Sequence, residues 1–406
     1  MTPGQVPASN RHVLFLLENE PYPYDSRVRQ EAEALAAAGY AVTVLGPTGE
    51  GFHEQDVVLR GVRILRYPAP PGGRGVLGYA REYAQSLLHL RRLTRRTDRE
   101  RPVDVVIACN PPDFLWMAAR PLLRRGAALV FDHHDLSPEL YQRKFGNRDL
   151  PRRLLLSLER TMFERSDVVL SSNRSYAEIA RTRGRVPSAD VFLVRNGPGR
   201  QRIFPVPAQP ELKRGRPFLV VWAGMISQPE RVGRLVDAAE HLAFALGRRD
   251  VLFALVGPGD ARADVVEDVR RRGLEGIVEL PGRVEDDLLR AYLCTADVCV
   301  AVDEPNPMND RSTVTKVVEY MALGRPVVQF PLREMSDVCG DATAYARPGD
   351  ASDVAARIAQ LLGDPELRTT LGERARERCR TEALLWDDQV PVLLRAVERA
   401  LSRSPG

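Results

Sequence analysis

Lysine is nearly absent from this 406-residue chain: of its 58 basic residues, only Lys144, Lys213 and Lys316 are lysines. The five cysteines are odd in number and lack the spacing of a zinc or redox motif, so we predict buried free thiols in a reducing cytoplasm. No apolar run reaches the roughly 18 residues needed to span a bilayer. Residues 1–10 lack the charged start and apolar core of a signal peptide, so a cytoplasmic location is expected.

Strong charge of one sign is also missing. A net charge of +4 is too small to indicate a nucleic-acid partner, and a content of 44% hydrophobic and 28% charged residues is ordinary for a soluble enzyme. The length favours two domains. Nothing in the sequence indicates an oligomeric state.

Apolar strands alternate with helical patterns along the whole chain, which predicts an α/β protein with parallel sheets. The first series opens with strand His12–Leu17, helix Ser26–Ala38 and strand Ala41–Leu45. The second series opens with strand Phe218–Ala223, after a proline-rich linker at Gln201–Pro217. The loop after the first strand has no Gly-x-Gly-x-x-Gly pattern, so no dinucleotide cofactor is expected.

One predicted helix, from Tyr79 to Thr97, is strongly basic. Seven arginines against three carboxylates lie between Arg81 and Arg101, and four leucines give the helix an apolar side. This pattern is typical of a solvated helix with one face on the core. It is also typical of a helix that lies on anionic lipid, so weak membrane-surface association stays open.

The stretch from Asn309 to Pro326 combines several signals. It follows an apolar strand, offers polar residues as helix N-caps, and carries an apolar stripe that ends at Gly324. The amides of such a helix start can hold phosphate, and Glu319 can accept hydroxyl hydrogens. The alternative is an ordinary connecting αβ unit.

A second polar cluster, from Asp132 to Glu139, follows another predicted strand at the edge where open α/β sheets bind ligands. Two adjacent histidines point in different directions and no third ligand is evident, so we do not predict a metal site. Two interpretations of the histidines stay open. One histidine takes part in acid–base chemistry or sugar binding, or both are structural.

The ordered set of landmarks resembles one family: retaining glycosyltransferases of the GT-B fold, family 4. The segments that carry the resemblance are Asp25–Arg29, Asp132–Glu139, Arg195–Gly197, Trp222–Gly224, Leu255–Asp260, Leu280–Val284 and Lys316–Val328. The last segment is the most specific, and the likeness extends over nearly the whole chain.

The resemblance implies two Rossmann-like domains that face each other across a cleft. An acceptor domain at residues 1–204 would be joined by a final helix at about residues 384–406, and residues 205–383 would bind a nucleotide sugar. It also implies that neither a metal nor a cofactor is used. The nucleotide sugar and an acceptor molecule would be its partners, and no nucleic acid is expected.

Roles follow residue by residue from the resemblance. Glu319 matches the carboxylate that binds the donor ribose, Gly282 and Val284 match the loop that holds the base, and His134 matches a histidine near the reacting carbon. The donor-binding set is Glu319, Gly224, Arg231, Gly257, Gly282, Val284, Ser312 and Thr313. The catalytic set is His134, Lys316, Arg311 and Asp310. The acceptor-side set is Asp25, Arg27, His133, Asp135 and Glu139.

Two positions depart from the family pattern. Arg311 stands where many members have a second glutamate, which Asp310 partly replaces. Met225 stands where an arginine usually neutralises the donor diphosphate. Lys316 is the natural substitute for the missing cation and Arg311 a second, so we interpret the departures as a relocated phosphate-binding charge.

The expected function is transfer of a sugar, with retained configuration, to a glycan precursor, a lipid-linked sugar or a natural product. Two alternatives remain: a nucleotide-sugar 2-epimerase, and a pseudo-glycosyltransferase that binds nucleotide without catalysing transfer. If the basic helix binds lipid, the enzyme would lie at the inner face of the membrane.

Overall fold

A computed structural model describes residues 10–72, 75–146, 149–227 and 231–403. The chain forms two compact units. Unit 1 comprises Met1–Arg195 with Gln389–Gly406, and unit 2 comprises Asn196–Asp388. Each unit has a largely parallel sheet with helices, which confirms the predicted α/β class with two Rossmann-like domains.

Within the described ranges, the sheet of unit 1 has eight strands in the order β3-β4-β2-β1-β5-β6-β7-β8, and only the pair β3–β4 is antiparallel. The strands are β1 His12–Leu16, β2 Ala41–Pro47, β3 Asp56–Leu59, β4 Val62–Tyr67, β5 Val105–Cys109, β6 Ala128–His133, β7 Val168–Ser171 and β8 Val191–Leu193. Sequence reasoning missed β3 because this short edge strand is mostly exposed and has no buried apolar face.

Seven helices accompany this sheet in the residues described. They are α1 Ser26–Ala37, α2 Gly75–Glu100, α3 Trp116–Arg124, α4 Ser137–Phe145, α5 Asp149–Arg165, α6 Arg174–Thr182 and most of the last helix of the chain, α14 Trp386–Arg403. Helix α2 begins at Gly75, earlier than the predicted start at Tyr79, and positions 73–74 before it lie outside the described residues.

The described part of unit 2 has six strands, all parallel, in the order β11-β10-β9-β12-β13-β14. They are β9 Phe218–Ala223, β10 Val251–Val256, β11 Val278–Gly282, β12 Val298–Ala301, β13 Val327–Gln329 and β14 Ala344–Tyr345. Its helices are α7 Gly233–Glu240, α8 Arg262–Arg271, α9 Asp286–Thr295, α10 Thr315–Ala322, α11 Arg333–Cys339, α12 Ala351–Gly363 and α13 Pro365–Thr381.

Alternation along strand β9 builds the core of unit 2 on both faces of its sheet. Val220 and Trp222 pack into one apolar cluster, and Leu219 and Val221 into another. Successive side chains of a strand point to opposite faces, so a strand that is apolar at every position needs cover on both sides.

The boundary between the units falls after Arg195, earlier than the predicted boundary at 204/205. The proline-rich segment that we predicted to be a linker packs on unit 2, where Ile203 and Leu212 are buried in its core. At the other end of the chain, Arg399 pairs with the buried carboxylate of Asp190 at 3.0 Å, which ties α14 to unit 1.

Candidate functional site

Three glycine loops meet at the carboxyl edge of the unit 2 sheet. The Gly224 amide donates to Val256 O at 3.0 Å, and the Gly257 amide donates to Gly282 O at 2.9 Å. A Cβ atom on Gly257 would lie 1.8 Å from Gly224 O, so no other residue fits without moving the backbone. The structure thus brings together three of the predicted donor-binding residues.

The loop after Gly224 presents an apolar side chain where the family pattern has a cation. Met225 is 56% exposed. Arg231 is exposed and has a left-handed backbone, with φ 47°. Positions 228–230, between Met225 and Arg231, lie outside the described residues. Val284 is partly buried against the apolar cluster of the unit.

Lys316 lies beside the glycine loops. Its Nζ is 4.8 Å from the centroid of the buried Trp222 ring and 3.5 Å from Asp303 Oδ1. Its Cε would be 3.4 Å from a Cβ on Gly224. Helix α10 is fixed at the same edge because the Tyr320 hydroxyl accepts a hydrogen bond from the Ala223 amide at 2.9 Å. Lys316 therefore supplies a cation at the edge that Met225 leaves without one.

Helix α10 starts later than the sequence suggested, and the predicted N-caps are wrong. Val314 occupies the N-cap position, and no side chain among the described residues caps the helix. Ser312 Oγ instead donates to Met308 O at 2.9 Å, while Thr313 Oγ1 is buried with no hydrogen-bond partner among the described residues. The first amides of α10 thus carry no side-chain cap.

Asp310 and Arg311 lie in a separate short turn, Asn309–Arg311, ahead of α10. The Asp310 amide donates to Asn306 O at 2.9 Å, and Arg311 Nη1 is 3.5 Å from Pro307 O. The hydrogen bonds described for these two residues do not link them to Glu319. Their catalytic roles stay predictions.

Glu319 is buried on α10, and its Oε1 accepts a short hydrogen bond from Arg202 Nη1. The other end of that guanidinium, Nε, is 3.3 Å from Asp286 Oδ1. Burial raises the pKa of Glu319, and the positive charge of Arg202 opposes this shift. Sequence reasoning missed Arg202 because 117 residues separate the two partners and no local pattern marks the arginine.

A second cluster lies at the carboxyl edge of the unit 1 sheet, around His134. The imidazole Nδ1 is 2.8 Å from Asp132 Oδ2, and its Nε2 is 4.0 Å from Asp25 Oδ2. Asp132 also pairs with the buried Arg27, which pairs in turn with Glu31 at 3.0 Å. Asp25 caps helix α1 through the amides of residues 27 and 28.

These contacts decide which groups are charged. Burial disfavours the charged imidazolium, but the adjacent Asp132 carboxylate outweighs it and raises the pKa of His134 to about 9. Burial would raise the pKa of Asp132, yet Arg27 and His134 hold it below its usual range. Glu31 has no such surplus of cations, and burial raises its pKa to about 8. The cluster thus favours the protonated form of His134, and the Asp132 carboxylate holds the ring in place.

Asn110, at the end of β5, shapes the turn that carries His134. Its Oδ1 accepts from the amides of His134 and Asp135, both at 3.0 Å, and its Nδ2 donates to Asp135 O at 2.7 Å. Sequence reasoning did not select Asn110. Its position directly after a predicted strand could have identified it, because the same feature drew attention to His134.

Two predicted acceptor-side residues, His133 and Glu139, lie outside the His134 cluster. His133 is fully buried among the rings of Phe131, Phe163 and Tyr176, and burial lowers its pKa to about 3. A neutral histidine inside the core does not fit contact with an acceptor. Alternation along β6 explains the error, because adjacent side chains point to opposite faces.

Glu139 takes part in a buried ion cluster. Its carboxylate accepts from Arg183 Nη1 at 2.8 Å, and Arg183 also reaches Glu159 at 2.6 Å. This arrangement holds helices α4, α5 and the end of α6 together, so its observed role is structural.

Other classes of site are not apparent in the part of the chain that the structure describes. All five cysteines are free and buried. No group of three or more His, Cys, Asp or Glu side chains is arranged to hold a metal ion within the described ranges. None of the helices described combines the length and apolar character that a membrane span requires.

Two family profiles match most of the chain. The profile described as the glycosyl transferase 4-like domain matches residues 24–197, and the profile described as glycosyl transferases group 1 matches residues 217–364.

Two curated proteins of Streptomyces kanamyceticus are similar to parts of the chain. Alpha-D-kanosaminyltransferase is 26% identical over 159 residues, which is 39% of this chain and 39% of the relative. 2-Deoxystreptamine glucosyltransferase is 28% identical over 149 residues, covering 36% of this chain and 37% of the relative. The chain therefore matches less than half of the length of each relative.

Solved structures extend the likeness to nearly the full length. Sucrose-phosphate synthase from Thermosynechococcus elongatus matches with a TM-score of 0.76 and 20% identity, over 97% of this chain and 100% of that one. Anabaena HepE, solved with UDP and glucose, matches with a TM-score of 0.70 and 17% identity, over 96% and 99%. These matches support the fold. Together with the two family profiles, they show that the chain belongs to the group 1 glycosyltransferases of the GT-B fold, family 4.

Proposed function

We propose that this chain is a retaining glycosyltransferase that moves a sugar from a nucleotide-diphosphate sugar to a hydroxyl group of an acceptor. The observation that carries the proposal is the start of α10. Within two helical turns beside the glycine loops, the chain presents three groups in succession: amides without a side-chain cap, the Lys316 ammonium and the buried Glu319 carboxylate. Helix-start amides and a cation suit a diphosphate, and a buried carboxylate suits the ribose hydroxyls.

In the proposed reaction the bond between the anomeric carbon and the diphosphate oxygen breaks, and the electron pair leaves with the diphosphate. The acceptor oxygen bonds to the anomeric carbon on the same face, and its proton passes to a phosphate oxygen. Lys316 and the α10 amides stabilise the negative charge that grows on the leaving group, which lowers the barrier. This route requires no strong protein base.

The first test compares Glu319→Gln, which keeps the shape of the side chain, with Glu319→Ala. A hydrogen bond to a charged group contributes about 1.5–3 kcal/mol, so we expect roughly 10- to 150-fold weaker donor binding by calorimetry. Glu366→Gln, on the exposed first turn of α13, is the matched control. Donor affinity and turnover at the wild-type level in Glu319→Ala would disprove the assignment.

Lys316 gives a second test within the same proposal. Lys316→Ala should lower transfer strongly, and Lys316→Arg should restore part of it, because the positive charge is retained. Since these groups supply the charge, we also propose that transfer is independent of metal ions and survives EDTA. Loss of activity in EDTA that returns with a divalent cation would contradict this.

Product analysis separates transfer from the two alternatives. A 2-epimerase would convert the nucleotide sugar without an acceptor. A pseudo-glycosyltransferase, favoured by the altered Met225 and Arg311 positions, would bind nucleotide without releasing sugar. We expect a new glycoside only when donor and acceptor are both present.

The donor and acceptor can be narrowed by screening. We assign donor binding mainly to unit 2 and acceptor binding mainly to unit 1. We also propose that the enzyme acts in the cytoplasm. Thermal-shift measurements with nucleoside diphosphates, UDP included, should identify the base, since a ligand that binds only the folded chain raises its melting temperature. The name of one relative specifies the acceptor 2-deoxystreptamine, so we propose a small polyhydroxylated acceptor and would test that compound first.

A further inference from the structure

Helices α2 and α3 of unit 1 expose a cationic surface that the proposed transfer does not use. We propose that this surface binds an anionic lipid bilayer and holds the enzyme at the membrane. Six exposed arginines define it, and we call it the basic face: Arg91, Arg92, Arg95, Arg99, Arg120 and Arg124.

The arginines of the basic face differ from their neighbours on the same helices. Arg96 is neutralised by Asp56 and Glu100, and Arg125 by Asp98. In the described ranges, no carboxylate lies within ion-pairing distance of the six. Four of them recur at positions 91, 92, 95 and 99, which places them along one stripe of α2. This stripe therefore carries charge that the fold does not compensate.

Apolar side chains lie within the cationic surface. Leu88 is 67% exposed and Met117 is 43% exposed. Both line a groove of about 210 Å³ between α2 and α3, together with Arg91, Arg120 and Arg124. The opposite side of α2 already packs into the core through Leu90. Core packing therefore does not account for the two exposed side chains.

The basic face lies away from the ligand edge of the unit 1 sheet. Helix α2 ends at Glu100, shortly before β5 begins, and α3 ends at Arg124, shortly before β6 begins. The later turns of both helices therefore lie toward the amino ends of the strands, whereas His134 follows the carboxyl end of β6. A bilayer on the basic face would leave the His134 cluster accessible.

The combination of charge and apolar side chains favours lipid over a soluble polyanion. Arginines over an apolar stripe are typical of helices that lie in the membrane interface, where guanidinium groups bind phosphate headgroups and apolar side chains enter the acyl boundary. A soluble polyanion would use the arginines alone and gain nothing from Leu88 and Met117. The two partners therefore predict different effects of removing the apolar residues.

The test is sedimentation of the full chain with phosphatidylcholine vesicles, with and without phosphatidylglycerol, at low and high salt. We expect binding only to the anionic vesicles, weakened by salt. Arg91→Glu with Arg95→Glu should reduce partitioning by roughly tenfold or more, since each cation near an anionic surface contributes several-fold. Leu88→Ser with Met117→Ser should also reduce it, although the charge is unchanged.

The matched control is Arg270→Glu with Arg395→Glu, which changes the net charge equally at two exposed arginines elsewhere. The proposal requires this control to bind anionic vesicles as the wild type does. All variants should also keep the melting temperature of the wild type and its activity on soluble substrates. Three results would each overturn it: no sedimentation with anionic vesicles, equal loss in the control, or equal binding of the Leu88/Met117 variant. The last result, with competition by heparin, would identify a soluble polyanion as the partner.

Discussion

At the scale of single residues, Glu319 is subject to two opposing influences. Burial raises its pKa, and the guanidinium of Arg202 favours its ionised form. An ionised carboxylate accepts hydrogen bonds at both oxygens, whereas a protonated one presents a hydroxyl donor, so the ionised form suits two ribose hydroxyl groups better. Arg202 therefore has a positioning role in our proposal: it keeps one carboxylate oxygen fixed and the group charged.

Replacing Arg202 makes this role measurable. In Arg202→Met the pKa of Glu319 should rise further, so affinity for the nucleoside diphosphate should fall as pH is lowered from about 8 to 5.5, a range above the usual pKa of glutamate. Arg202→Lys should restore much of the wild-type pH profile. Calorimetry across this range is the measurement, with the exposed Arg214→Met as control. Equal weakening at every pH would indicate a structural role only.

His134 offers a second residue-scale prediction. Asp132 raises its pKa to about 9, so the imidazole should be protonated at neutral pH. In Asp132→Asn the carboxylate is lost while burial remains, and the pKa should fall to its ordinary value of 6.5 or below. NMR titration of the six histidines, with His134→Gln to assign the signal, checks this. A His134 pKa near 6.5 in the wild-type protein would contradict it.

At the scale of elements, no side chain among the described residues caps the start of α10, whereas Asp25 caps α1 and Asp364 caps α13. An extended backbone at Val314, with φ −82° and ψ 92°, is suitable for a capping side chain, yet valine offers no acceptor. A helix that leaves its first amides without a cap typically loses about 1 kcal/mol of stability. We interpret this as room for the donor diphosphate.

Val314→Thr tests that interpretation with a nearly isosteric change. The new hydroxyl can accept from an amide of the first turn, so the melting temperature should hold or rise while nucleotide affinity falls several-fold. Val314→Ala, which removes packing and adds no acceptor, should lower stability with little effect on affinity. Unchanged nucleotide binding in the threonine variant would show that the amides do not hold phosphate.

At the scale of the whole molecule, buried titratable groups set the dependence of stability on pH. Burial raises the pKa of Glu31 and of Glu159 to about 8. Such groups bind a proton in the folded chain but not in the unfolded one, so stability falls as pH rises from about 4.5 to 8. His134 extends the fall to about pH 9. His133, with its pKa lowered to about 3, acts in the opposite direction below pH 6.5.

The melting temperature should therefore be highest near pH 4.5, because above that pH the two carboxyl groups outweigh the opposing effect of His133, and it should decline toward pH 9. Thermal unfolding monitored by circular dichroism across this range is the measurement. Glu159→Gln removes one titrating group while it keeps a hydrogen-bonding side chain for Arg183, and should flatten the decline. A stability that increases from pH 6 to 9 would show that the buried carboxylates are ionised in the folded chain.

The sequence by itself determined the α/β class, the two sheets and most strand positions. Runs such as Val251–Val256 are apolar at every position, and only a strand covered on both faces buries all of them. It also identified the family, because a loop position that has no room for a Cβ must be glycine. The glycines of such loops are therefore visible in the sequence as short local motifs. Gly257, with a Cβ position 1.8 Å from a backbone oxygen, is the clearest case.

Only the tertiary structure decided which side chains meet. Arg202 pairs with Glu319 across 117 residues, His133 faces the core while its neighbour His134 pairs with Asp132, and Leu88 remains exposed. The periodicity of a strand or helix specifies two faces, but the packing of other elements decides which face is covered. Charge states depend on the same contacts, since burial and a nearby ion set the pKa of Glu319 and of His134.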